Sequence, residues 1–263
     1  SGTLRTNEDL SIKGRFDNDG TVETSKNVAV SGDINNTGKI LASGNLSGRN
    51  TVSAGVISSR NVNVDDLKND GTLETAEDVK VSGNIRNTGR IASNGDLTGK
   101  DIATSGTIAS RNVKADNLSN DGVIIANGNI NAKNVKNTKD IAAVGTVSAD
   151  DLITSGNVRA NGKMTVAGRL ENSGAVETAK NITVAGNIKN DGKIAANEDL
   201  TGKHTENNGN IYVKDLKVNN LKNTGKIESM NLKTDDVTNS GDITAIGKIS
   251  SGNIDNSGKL LAN

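Results

Sequence analysis

The sequence predicts an all-β fold, a parallel β-solenoid of about 15 coils of 16–18 residues, and three observations carry that reading. First, a glycine opens a recurring unit at Gly2, Gly20, Gly38, Gly55, Gly71, Gly89, Gly106 and Gly122. Lys139 takes its place once, and the series resumes at Gly156, Gly174, Gly192, Gly209, Gly225, Gly241 and Gly258. The fifteen intervals span 256 residues, a mean near 17, and a period of that size marks units too small to fold singly. Second, the third residue of all sixteen units is aliphatic, from Leu4, Val22 and Ile40 to Ile243 and Leu260. Third, a polar column lies two residues before each later opener. It is asparagine at Asn18, Asn36, Asn69, Asn87, Asn120, Asn137, Asn172, Asn190, Asn207, Asn223, Asn239 and Asn256, and Ser53, Thr104 or Thr154 elsewhere.

Within a unit the elements follow in order. The opener, the aliphatic third residue and a small fifth residue alternate at period two, the mark of a half-buried strand. In the unit from Gly71 this gives three short strands with Leu73, Thr75, Val79, Val81 and Ile85 inward and Glu74, Lys80 and Arg86 toward water. Helical spacing is sustained nowhere. The asparagine column is expected at a sharp corner as a structural ladder. Asparagine tolerates a left-handed conformation, its amide can bond the identical amide one rung above, and the glycine after it carries no Cβ. At Lys139 the corner is expected to be wider, without being a binding site.

A longer rhythm overlies the short one. Gly20, Gly71 and Gly122 lie 51 residues apart, as do Gly174 and Gly225, and Ser59-Arg60-Asn61-Val62 recurs as Ser110-Arg111-Asn112-Val113. Tandem duplication of three coils accounts for both.

Composition narrows the class further. Thirty-one basic residues balance 31 acidic ones, which disfavours both disorder and the positive stripe that nucleic-acid binding needs. Proline, cysteine and tryptophan are absent, and only Phe16 and Tyr212 are aromatic. A proline-free chain suits strands paired on both sides, and a cysteine-free one holds no disulfides. The longest strongly apolar run, Val123-Ile124-Ile125-Ala126, is too short to cross a bilayer, so no membrane insertion is expected. Residues 1–263 read as one continuous solenoid shaft, roughly 72 Å long at ~4.8 Å per coil, and as a fragment of a longer chain without its secretion signal or caps.

The motif Asn-x-Gly-[Lys/Arg]-Ile-Ala, as in Asn87-Thr88-Gly89-Arg90-Ile91-Ala92 and Asn190-Asp191-Gly192-Lys193-Ile194-Ala195, resembles the repeats of filamentous haemagglutinin-type exoproteins. That resemblance covers essentially the whole chain. It implies a right-handed parallel β-helix in an adhesin or a contact-dependent inhibition stalk, exported by two-partner secretion through an outer-membrane transporter. It further implies a place on the surface of a Gram-negative cell and a receptor on a host or neighbouring cell.

Other functions fit less well. An enzyme acting on acidic polysaccharides would need clustered carboxylates. The doublets Glu8-Asp9, Glu77-Asp78 and Glu198-Asp199 recur at one coil position, and Asp65-Asp66, Asp150-Asp151 and Asp235-Asp236 at another, as solvated corners would. His204, the sole histidine, falls in a variable loop at Lys203-His204-Thr205-Glu206. No catalytic residue, cofactor or metal site is expected. The outward residues of the first strand, such as Thr21/Glu23 and Arg90/Ala92, lack the Thr-x-Thr array of an ice-binding face. The expected role is a structural shaft, with a filament subunit polymerising end to end as the alternative.

Overall fold

A computed structural model describes residues 2–262. Those residues form short β-strands and no helix, hence none long and apolar enough to cross a membrane. The strands fall three to a coil: Thr72–Thr75, Val79–Val81 and Asn84–Asn87 make up one coil. Each pairs in parallel with the same strand of the next coil, so Leu73 stands on Ile91, Ile91 on Ile108 and Ile108 on Ile124. The fold is a β-solenoid of about fifteen turns, and the turns repeat about every 17 residues.

The chain divides into two compact units, Ser1–Asn131 and Ala132–Asn263. In the first, Leu73, Ile91, Ile108 and Ile124 are fully buried. In the second, Val158, Val176, Ile194, Ile211, Ile227 and Ile243 form the same column, each in register with the next and each fully buried. Leu73, Thr75, Val79, Val81 and Ile85 all point inward, and Glu74, Lys80 and Arg86 are exposed. Lone coils cannot do this: five buried side chains gain ~1.5–3 kcal/mol each, against ~1.5 kcal/mol for ordering each residue.

Unequal coil lengths are absorbed at the corners. Three residues join Thr75 to Val79 in an 18-residue coil, whereas two join Ser59 to Val62 in a 16-residue coil. In the coils from Gly209 and Gly225 strands run together across the corners, as Asn210–Asn223 and Lys226–Lys233.

The opener glycines are not left-handed corners: among the described residues no glycine, and no other residue, has positive φ. Close approach selects glycine instead. A Cβ on Gly89 would lie 2.0 Å from the carbonyl oxygen of Gly71, and that same oxygen accepts the Arg90 N–H at 2.8 Å. A side chain would sit in the path of the bond that joins the coils. Above Lys139, where a wider corner is expected, most of the coil-to-coil spacing matches that above the glycines. The Lys139 carbonyl accepts the Asn157 N–H at 2.7 Å, and a Gly156 Cβ would lie 2.1 Å from it, as between successive glycines. Only the bond from Gly156 N–H to the Asn137 carbonyl is stretched, to 3.4 Å.

Candidate functional site

From Asn18 to Asn239 the asparagine column lies inside the solenoid, and Asn256 in the last coil is exposed. Asn36, Asn69, Asn120, Asn190, Asn207 and Asn223 are fully buried, a costly place for an amide unless every polar atom is bonded. In the second unit each Nδ2 donates to the next Oδ1, from Asn172 through Asn190, Asn207, Asn223 and Asn239 to Asn256, at 2.7–2.8 Å. Each amide also bonds backbone: Asn190 Nδ2 reaches the carbonyls of Gly192 and Asn210. The Asn190 carbonyl accepts the N–H groups of both Asn208 and Gly209. In the first unit Asn18 donates to Asn36 and Asn69 to Asn87, both at 2.8 Å. Those runs stop at hydroxyls, where Asn36 donates to Ser53 and Asn87 to Thr104; in the second unit Asn137 donates to Thr154. Asn120 bonds both the carbonyl and the N–H of Gly122. Ladder breaks at Ser53, Thr104 and Thr154 follow the three-coil rhythm.

A second polar column, which the sequence reading missed, stands at the first corner. In the first unit it runs Asp9, Asn27, Asn45, Asn61, Asp78, Asp96, Asn112 and Asn129, one residue per coil. Most of its Oδ1 atoms accept the backbone N–H of the next member. Asp9 takes that of Asn27, Asn61 that of Asp78, and Asp78 that of Asp96, at 2.8–3.0 Å. The second unit repeats the device, with Asn181 accepting the Asp199 N–H and Asn231 the Lys248 N–H. The signal was present as Asp or Asn six or seven residues after most openers, hidden because two residue types share the role.

Acidic doublets are therefore more than solvated corners. Asp66 and Asp151 accept backbone N–H groups of Asn84 and Arg169 at a further corner, and Asp236 accepts the side chain of Asn253. Of the glutamates, Glu8 pairs with Lys26, Glu77 with Arg60 and Glu198 with Lys180. These bonds hold carboxyls below their ordinary range: the Asn27 backbone N–H does so for Asp9, the Asp96 N–H for Asp78, Arg111 for Asp96, Arg60 for Glu77 and Lys193 for Glu177.

His204 lies not in a loop but in the strand Leu200–Asn207, its Nδ1 2.9 Å from Asn220 Nδ2. It borders an open depression on the outer face of the third strands, beside Glu171, Lys189, Glu206 and Lys222. A broader depression in the first unit holds Arg5, Glu23, Arg60, Glu74, Glu77 and Arg90, whose charges pair across coils as Arg5–Glu23, Arg60–Glu77 and Arg90–Glu74 at 2.6–2.8 Å. Among the described residues no three His, Cys, Asp or Glu side chains are placed to hold a metal ion.

Fold and polar wiring together define a class, the β-solenoid repeat proteins, here with corners bonded coil to coil by amide and carboxylate ladders. No protein-family model, curated protein or solved structure matches the chain.

Proposed function

We propose that the chain is the structural, non-catalytic shaft of a secreted, cell-surface filamentous adhesin, carrying a distal tip or the attachment surface itself. The observation that supports this most is where the buried polar groups bond. In the run from Asn172 to Asn256 each amide is committed to the next coil, as stiffness needs and as a ligand site does not. The haemagglutinin-type motif supports export through an outer-membrane transporter and a receptor on a host or neighbouring cell. Negative-stain electron microscopy of the purified chain at rising concentration tests the reading. Particles whose length does not change with concentration are expected. Particles that lengthen with concentration would replace the shaft with a subunit that polymerises end to end.

A further inference from the structure

The outer face of the third strands in the second unit carries one exposed or half-buried residue per coil. In chain order these are Lys136, Ile153, Glu171, Lys189, Glu206, Lys222, Thr238 and Asp255. From Ile153 to Asp255 they stand in direct register. Lys136 takes the rung below Ile153, because its neighbour Asn137 donates to Thr154 at 3.0 Å.

Read backwards, this column is the charge complement of itself. A two-fold axis lying in the plane of contact, parallel to the strands and between the rungs of Lys189 and Glu206, sets Lys189 of one copy against Glu206 of another. Glu171 then meets Lys222, Lys136 meets Asp255, and the two uncharged residues, Ile153 and Thr238, meet each other. Each charged pair occurs twice, as in any isologous contact. Within the column like charges never oppose one another. On the flanks each corner meets the same corner of the other copy: Arg169 meets Asn220, and Asp151 meets Asp236, two carboxylates already engaged within their own chain by the Arg169 N–H and the Asn253 amide. We infer that this face is a docking surface for a second copy of the chain, bound side by side with its coils running the opposite way.

Pairs inside the chain prepare the face. Arg169 holds Glu171 at 2.9 Å and Lys222 holds Glu206 at 3.0 Å, while Lys189 leans toward Asp191 at 3.9 Å. Side chains held in this way lose less freedom on docking. The column spans seven rungs, ~34 Å at ~4.8 Å each. A strip of that length and one strand wide buries a few hundred Å² per copy, well under the ~800 Å² of a stable complex. The contact is therefore weak, reversible and sensitive to salt, because exposed ion pairs are screened.

Sedimentation velocity of the full chain tests this, with far-UV circular dichroism to verify folding. In ~20 mM salt the wild type is expected to show a concentration-dependent monomer–dimer equilibrium that weakens at least tenfold in ~0.5 M salt. The variants Glu171→Lys/Glu206→Lys and Lys189→Glu/Lys222→Glu change exposed or half-buried residues on the outer face and none of the core. Each alone is expected to be monomeric, and their equimolar mixture to dimerise. A wild type that stays monomeric at every concentration in low salt overturns the inference. So does a charge-reversed variant that self-associates as the wild type does, or a mixture of the two that stays monomeric.

Discussion

Ser53 shows how much one polar atom decides inside this fold. Its hydroxyl accepts the amide of Asn36, but Asn69 Oδ1, one coil further on, is buried without a hydrogen-bond partner. An asparagine at 53 would have an N–H to give it, and the same column accommodates asparagine in neighbouring coils. Ser53→Asn is therefore expected to stabilise the protein by about 1 kcal/mol, read as a higher midpoint in urea, since an unsatisfied buried acceptor costs ~1–3 kcal/mol. Thr205 poses the same problem in the apolar core. It is 2 % exposed, it stands between Ile188 and Leu221, and its Oγ1 has no partner. Thr205→Val keeps the shape and removes the orphan. A gain of about 1 kcal/mol is expected, and a loss would mean that the hydroxyl is bonded after all.

One coil joins the next through hydrogen bonds that leave no space at the opener. Gly89→Ala places a methyl carbon 2.0 Å from the Gly71 carbonyl oxygen, a backbone atom that a rotamer change cannot move. The expected cost is about 3 kcal/mol or more, the upper range for overpacking, visible as a marked drop in melting temperature. Gly99 makes a useful contrast. Its added Cβ would meet the tip of Ile85 at 2.9 Å. A flexible side chain can yield, so Gly99→Ala is expected to cost much less than Gly89→Ala. A similar loss at both positions would contradict the close-approach account of the openers.

Over the whole molecule, charge is balanced and spent locally, with basic and acidic side chains paired between coils. The sign of the pH dependence follows. Asp78, Asp96 and Glu177 titrate below their ordinary values of 3.8, 3.8 and 4.5 because N–H donors, Arg111 and Lys193 stabilise the anions. The folded chain then binds fewer protons than the unfolded one as the pH drops through this range. Their contribution is complete at neutral pH and is lost as pH falls below about 4.5 toward the lowered folded values. A melting temperature that declines from pH 6 to pH 3 is expected. Asp78→Asn keeps an acceptor for the Asp96 N–H, as asparagine does elsewhere in that column, and its thermal midpoint should decline less steeply.

The strand pattern, the inward column from Val22 to Ile243 and the place of the asparagines were legible in the residues, because a stacked parallel fold repeats its local chemistry at a fixed interval. The reason for the glycines was not. Glycine suits both a left-handed corner and a crowded one, and only the distance from one coil to the next tells them apart. The corner ladder from Asp9 to Asn129 escaped notice for a related reason: aspartate and asparagine present the same acceptor oxygen, and composition sorts them into different classes. His204 read as part of a loop because its neighbours are polar, yet strand pairing with Asn220 ordered that segment. Periodicity determined which residues face inward; the separation and register of neighbouring coils decided what each polar group bonds, since hydrogen bonds depend on positions in space that a single chain's order does not contain.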